Sequence, residues 1–299
     1  GINISRVNQL LMFKIIVDTE TAGLPTYWSA HEDAINIWPR IVEIAWFLLD
    51  ENDIKISSKE FIIKPEGFLI PKESTAIHGI TNEKALMQGT SIKLVMEVLE
   101  EDLRNSNLII AHNIDFDYPV INCEFKRLNI GTKLNYLERF CTMKSSTSFC
   151  NIEGPYGQKW PSLQELYFKL FGRMFEDAHR ANSDLNACYQ CFLELKKIGI
   201  FSENILSKNQ NYDANSQDLH NRNYREEYQS NINRDSRGQN EEKKWSVGDK
   251  LHHIKFGIGT IESVLGTGNK ISLIVKFSKL GGKSKILDPW LSPIKPFKK

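Results

Sequence analysis

Four carboxylates and one imidazole in this chain are placed where they could share a site: Asp18, Glu20, Asp117, Asp184 and His179. Asp18 and Glu20 leave the end of an apolar run two residues apart, and in a strand that spacing puts both on one face. Asp117 follows the run Leu108-Ile109-Ile110-Ala111 and opens a helical pattern, while Asp184 lies early in another, with His179 just ahead of it. Carboxylates brought together from separate elements repel one another unless cations neutralise them. An all-oxygen donor set suits Mg²⁺ or Mn²⁺ rather than zinc. An imidazole with a reference pKa of about 6.5 can take a proton from water near neutral pH. Taken singly, each residue has a plainer explanation, since an acid at a helix start is often a cap or a dipole partner.

The elements that must position these residues read as alternating strands and helices. Apolar runs predict strands at 12–17, 40–49, 54–63 and 108–111, with Asp50-Glu51-Asn52-Asp53 as the turn of an antiparallel hairpin. Helical spacing, as in Ile92, Val95, Met96, Leu99 and Leu103, predicts helices at 91–104, 115–128, 162–171 and 181–198. Pro119 is expected in the first turn of its helix, where proline is tolerated. The pattern is that of an α/β fold, a mixed sheet covered by helices.

Length and composition agree with this. The 299 residues suggest about two domains, and 41% hydrophobic with 25% charged residues excludes collagen-like and wholly disordered chains. No apolar run reaches the roughly 18 residues of a membrane span. The odd count of five cysteines argues for reduced thiols and a cytoplasmic protein without a membrane partner. Cys188 and Cys191 form a CxxC with no second pair, and they read as core residues of a helix. Residues 1–11, ahead of Met12, read as an added remnant or an upstream extension without the pattern of a secretory signal.

Charge is unevenly distributed. Residues 1–200 hold 21 Lys+Arg against 26 Asp+Glu, whereas residues 245–299 hold 10 against 3, all ten of them lysine. Residues 201–244 are rich in Asn, Gln, Ser and charge, too poor in apolar side chains to offset ordering entropy, and are expected to form a disordered linker. The basic tail is expected to attract nucleic acid or an acidic protein.

Four short segments in sequence order resemble the DnaQ-like 3′–5′ exonucleases of the His-containing (DEDDh) branch. Val17-Asp18-Thr19-Glu20-Thr21-Ala22-Gly23-Leu24 is similar to their first motif, and His112-Asn113-Ile114-Asp115-Phe116-Asp117 to their second. His179-Arg180-Ala181-Asn182-Ser183-Asp184 is similar to the third, and Ile77-His78-Gly79-Ile80-Thr81 to a further signature. The resemblance covers about residues 12–198 and implies a ribonuclease H-like fold. It also implies two Mg²⁺ (or Mn²⁺) ions held by Asp18, Glu20, Asp117 and Asp184, with His179 as general base. The implied reaction is hydrolysis of the 3′-terminal phosphodiester to nucleoside 5′-monophosphates, by a mechanism in which two cations stabilise the entering and leaving oxygens. Thr19, Leu24, His78 and Asn113 are implied near the terminal nucleotide, although a turn explains Gly23 and Gly79 equally well.

Nucleic acid with a free 3′ end is the implied partner, DNA favoured, in repair, proofreading or phage defence. An exoribonuclease is the alternative, and an inactive nucleic-acid-binding or scaffold protein is a third reading, against which all four acids and the His stand. The stretch from Leu24 to Arg40 is longer than in many relatives and contains Tyr27, Trp28, His31 and Trp38. These aromatics could stack on a base or close a small core.

Residues 245–299 read as short strands separated by glycine turns, a small all-β SH3- or Tudor-like barrel. Gly248-Asp249-Lys250, Lys255-Phe256-Gly257-Ile258-Gly259-Thr260-Ile261 and Val275-Lys276-Phe277 resemble the Tudor-like C-terminal module of bacterial superfamily-one repair helicases. That resemblance implies docking to nucleic acid or to a repair, replication or transcription protein. The expected organisation is therefore an exonuclease domain at 12–200, a linker at 201–244 and a docking domain at 245–299. Such a linker would span roughly 35 Å and raise local substrate concentration. No clamp-binding peptide is evident in 201–244.

Overall fold

The computed structural model describes residues 13–154, 157–175, 181–202, 245–253, 256–265, 271–287 and 294–297. His179, residues 1–12 and the expected linker from residue 203 onward lie outside the described residues. The chain divides into two units, Gly1–Thr142 with Asp177–Leu193, and Met143–Glu176 with Glu194–Lys299.

The first unit is built around β1 (Phe13–Thr21), whose Ile15, Ile16 and Val17 are at most 1% exposed. It pairs antiparallel with β2 (Ile41–Leu49), which in turn pairs antiparallel with β3 (Lys55–Ile62). β2 is buried along its whole length, so it reads as a continuous apolar run rather than an alternation. The hairpin turn between β2 and β3 closes as expected: the Asp50 carboxylate accepts from the N–H groups of Asn52 and Ile54. Three helices follow, α1 (Lys72–His78), α2 (Asn82–Gln88) and α3 (Ile92–Arg104). α3 buries the predicted face, Ile92, Val95, Met96, Leu99 and Leu103.

β4 (Ser106–Ala111) then runs parallel to β1, α4 (Ile114–Arg127) crosses back, and β5 (Glu138–Cys141) pairs parallel with β4. The sheet order is β3-β2-β1-β4-β5. Pro119 is the sixth residue of α4 rather than a first-turn residue. There it cannot donate a backbone hydrogen bond to the carbonyl of Asp115.

Two single-turn helices, α5 (Thr142–Ser145) and α6 (Thr147–Cys150), lead to a hairpin of β6 (Ile152–Gly154) and β7 (Gly157–Lys159) that sequence patterning does not reveal. α7 (Leu163–Phe171) starts at a capping box in which Ser162 and Glu165 satisfy each other's backbone N–H groups. α8 (Ala181–Lys197) follows, with its first turns in the first unit.

The C-terminal strands are β8 (Lys250–His253), β9 (Gly257–Leu265), β10 (Ser272–Phe277), β11 (Ser284–Leu287) and β12 (Ile294–Pro296). They enclose a small core of Leu251, Phe256, Ile261, Leu273, Val275, Phe277 and Leu287. Gly259 is dictated by this core, since a Cβ there would meet Val275 Cγ1 at 2.4 Å and Phe277 Cε1 at 2.6 Å. The sheet continues past β11, which pairs parallel with β6, giving the order β12-β8-β9-β10-β11-β6-β7. Beneath this join, the buried Glu165 carboxylate accepts from Ser272 Oγ at 2.5 Å and Lys159 Nζ at 3.2 Å, while its second oxygen accepts from Ser162 N at 2.7 Å. Burial opposes that charge, but Lys159 and Ser272 more than compensate and hold its pKa below the usual value.

Candidate active site

β1 extends through Asp18 and Glu20 to Thr21, so both acids lie inside the strand rather than past its end. Their half-buried positions alternate with buried Val17, Thr19 and Thr21, which gives the two carboxylates one face. Asp184 reaches them from the first turn of α8. Ligand oxygens of Asp18, Glu20 and Asp184 all lie within 4.8 Å of one another. Burial, and then the charges of Asp184, Asp117, Glu20 and Glu43, push the Asp18 carboxyl well above its usual pKa. This cluster fits a divalent cation: the donors are carboxylate oxygens, and the repulsion among them is what a positive ion would relieve.

Asp117 sits beside this trio on α4. Its Oδ1 accepts from both the backbone N–H of Thr19, at 3.0 Å, and the Thr19 hydroxyl, at 2.7 Å. Burial nevertheless raises the Asp117 pKa to about 7. The turn that delivers Asp117 depends on Asn113, which caps α4 in the left-handed conformation at φ 81°. Asparagine tolerates that region better than most residues. The Asn113 carbonyl accepts from Phe116 N, and His112 Nδ1 lies 3.0 Å from the Thr142 hydroxyl.

The residues expected near a terminal nucleotide occupy different environments. Leu24 is half-buried after Gly23, whose φ of +142° requires a glycine. The Thr21 hydroxyl donates to the Gly23 carbonyl and fixes this turn. His78 is only 3% exposed, at the end of α1, with its Nδ1 accepting from Ile80 N. Burial lowers its pKa to about 4, so the ring is neutral near pH 7. Gly79 ends α1 in the left-handed conformation. Thr19 and Asn113 are both buried.

Two contributors escape a sequence reading. Glu43 is 1% exposed, opposite Glu20 in the β1–β2 register, and its Oε2 accepts from Ala181 N at 3.3 Å. It ties the start of α8 to the sheet. Its signal was a lone acid within an otherwise apolar strand. Glu124, fully buried on α4, accepts from Arg40 Nε at 2.8 Å and Ile41 N at 3.2 Å, and so fixes the start of β2. Cys188 and Cys191 are buried core residues, and all five cysteines are free thiols.

Comparison with known proteins agrees with this geometry. Residues 15–192 match the Exonuclease (RNase_T) family model, and residues 247–294 match the PcrA/UvrD tudor domain model. The chain belongs to the Exonuclease family, and its first sheet with flanking helices has the family's ribonuclease H-like fold. It is similar to the DNA polymerase III subunit epsilon of Buchnera aphidicola subsp. Schizaphis graminum, 32% identical over 131 residues, which covers 43% of this chain and 51% of that protein. It is also similar to the ribonuclease T of Buchnera aphidicola subsp. Baizongia pistaciae, 26% identical over 148 residues, covering 45% of this chain and 63% of that protein. The chain thus spans about half to two-thirds of the length of these relatives. Among solved structures, exonuclease I shares the fold at 16% identity and a TM-score of 0.51, over 95% of this chain and 62% of that one. A complex of E. coli exonuclease I with a dA16 oligonucleotide gives 15% and 0.50, over 95% and 62%. Among the described residues, no helix is long and apolar enough to cross a membrane.

Proposed function

We propose that this protein is a metal-dependent 3′–5′ exonuclease that hydrolyses the terminal phosphodiester of DNA to nucleoside 5′-monophosphates. The observation that carries this reading is the convergence of Asp18, Glu20 and Asp184 within 4.8 Å on one face of β1. These three would hold one divalent cation, and Asp18 with Asp117 would hold a second, Mg²⁺ or Mn²⁺ in each case. When bound, the ions supply charge stabilisation at the entering and leaving oxygens. The chain's own part is to fix the oxygens: Thr19 orients Asp117 through two hydrogen bonds, and Glu43 anchors the start of α8 close to Asp184. His179, two residues before Ala181, is assigned as the base that takes the proton of the attacking water. Thr19, Leu24, His78 and Asn113 are assigned around the terminal nucleotide, His78 and Asn113 by shaping the turns there.

The similarity to polymerase epsilon subunits supports DNA as substrate, and exonuclease I is known in complex with a DNA oligonucleotide. The similarity to ribonuclease T keeps an exoribonuclease as the second reading. Residues 245–299 are assigned to docking on nucleic acid or on a repair, replication or transcription protein, with 12–200 as the nuclease part and 201–244 as the connection. The reduced thiols support a cytoplasmic location. The test is digestion of matched 5′-labelled DNA and RNA oligonucleotides with Mg²⁺, Mn²⁺ or EDTA. Shortening from the 3′ end that disappears with EDTA and with Asp18→Ala or His179→Ala is expected. Activity persisting in purified Asp18→Ala would remove the site.

A further inference from the structure

We infer that Ser272, which belongs to the C-terminal module, is a positioning residue of the nuclease: through the Glu165 carboxylate it sets α7, and through α7 the chain that leads into the third motif. This rests on the exonuclease reading above and adds a part of the molecule on which that reaction depends. Ser272, Glu165 and α7 all lie within the second unit.

The module has one buried face too many for a free-standing barrel. Along β10, Leu273, Val275 and Phe277 point into the core they share with Leu251, Phe256, Ile261 and Leu287. Side chains alternate along a strand, so Ser272, Ile274 and Lys276 point the other way. Lys276 is exposed there, as the outside of a small barrel should be. Ser272 and Ile274, however, are only 8% and 7% exposed, and Ile286, opposite Ile274 on β11, is 8% exposed. That end of the outer face is covered, and the Glu165 carboxylate is what the Ser272 hydroxyl meets there. Glu165 comes from the nuclease part of the chain and Ser272 from the module.

Glu165 is placed to pass this contact on. It is the third residue of α7 and is 1% exposed. One oxygen holds the start of the helix by accepting from Ser162 N, while the other takes Ser272 and Lys159. Ser272 thus fixes the same carboxylate that caps α7, in a buried network whose bonds reinforce one another. The helix in turn pins the chain beyond it. Gln164 Nε2 donates to the Phe175 carbonyl at 2.9 Å, and the Tyr167 ring meets those of Phe171 and Phe175 at 4.6 and 5.3 Å. Farther along, Ala181 N is held by Glu43. His179 lies in the chain between these two fixed points, and so short a span has little slack. A shift of α7 is therefore passed along the backbone to the residue assigned as base, whereas a change that leaves α7 in place is not.

The test uses the full chain. kcat and KM with Mg²⁺ on a 5′-labelled single-stranded oligothymidylate are measured for wild type, Ser272→Ala, Glu165→Gln, the double variant and Val275→Ala. The temperature is one at which circular dichroism shows each protein folded. Val275→Ala loosens the core of the module without removing a partner of Glu165. Ser272→Ala is expected to lower kcat roughly 3- to 10-fold with KM little changed, the scale of one lost hydrogen bond. Glu165→Gln should lower kcat further, and adding Ser272→Ala to it should cost nothing more, because the serine acts through the carboxylate. Val275→Ala should lower the melting temperature at least as much as Ser272→Ala does and leave kcat near wild type. Hydrogen exchange in EDTA should quicken across 163–175 in Ser272→Ala and not in Val275→Ala. An unchanged kcat in Ser272→Ala, an equal loss in Val275→Ala, or an additive loss in the double variant overturns the positioning role. If Glu165→Gln does not fold, the contrast between Ser272→Ala and Val275→Ala decides. A wild type that digests no 3′ end with either Mg²⁺ or Mn²⁺ overturns the exonuclease reading instead, and exchange across 163–175 still decides whether Ser272 sets α7.

Discussion

Thr19 holds Asp117 by two hydrogen bonds to a single oxygen, one from its backbone N–H and one from its hydroxyl. Residues 98 positions apart are thereby locked together, and the second motif's acid is oriented by the first motif's strand. A hydrogen bond to a charged group contributes about 1.5–3 kcal/mol. Thr19→Val, which removes only the hydroxyl donor, should lower activity about tenfold and raise the Mg²⁺ concentration needed for half-maximal rate. Thr19→Ser should restore both. A metal titration of the three proteins checks this.

Removing one acid should separate stability from activity. Asp18, Glu20 and Asp184 crowd like charges into one place, and that repulsion opposes folding when no cation is bound. Asp184→Asn should abolish nuclease activity while raising the melting temperature of the metal-free protein. Calorimetry in EDTA alongside an activity assay tests the pair of outcomes, and a lower melting temperature would contradict the account.

The burial of Asp117 gives a pH dependence with a definite sign. Asp117 is raised to about 7 in the folded protein from an ordinary 3.8, chiefly by burial. Folding therefore favours its protonated form. That contribution to stability is complete below the unfolded value and is lost as pH rises through the folded one. In EDTA, the melting temperature should fall between about pH 4 and about pH 7 and level off above that. Saturating Mg²⁺ should restore stability at the alkaline end, and Asp117→Asn should flatten the metal-free profile.

Glu43 is expected to act through position. Its carboxylate accepts from Ala181 N, so Glu43→Ala leaves the start of α8 without that tether, whereas Glu43→Gln keeps an acceptor. Glu43→Ala should lower kcat about tenfold or more with a smaller change in KM, and Glu43→Gln should recover much of it. Equal losses in the two variants would argue for a role of the charge instead.

In the second unit, the Glu165 carboxylate depends on Ser272 for one of its hydrogen bonds. Ser272→Ala should cost about 1–3 kcal/mol of unfolding free energy, measured by urea denaturation, by leaving buried charge less satisfied. Substituting the exposed Lys276, which lies on the outer side of β10, should leave stability within about 0.5 kcal/mol.

Much of this site was legible because its acids sit at short, ordered spacings: Asp18 and Glu20 two apart on a strand, and Asp117 after a four-residue apolar run. β2 and α3 were legible for the same reason, since their patterns match one buried face or full burial. What escaped was set by distant partners. Glu43 looks like an interruption of an apolar strand until Ala181 arrives from 138 residues away. The β6–β7 hairpin carries only three residues per strand, too few for a periodicity to register. The start of α4 shifted because the left-handed Asn113 turns the chain one residue earlier than the acidic pattern suggests.

The pairing of β11 with β6 also has a consequence for biosynthesis. A ribosome delivers residues 143–176 well before 272–287, so β6 must wait with one edge bare, and Glu165 without its serine donor, until those later residues have emerged. The last strands therefore close work begun far upstream, and nascent chains halted before Ser284 should be more readily cut by protease within 143–176 than finished ones.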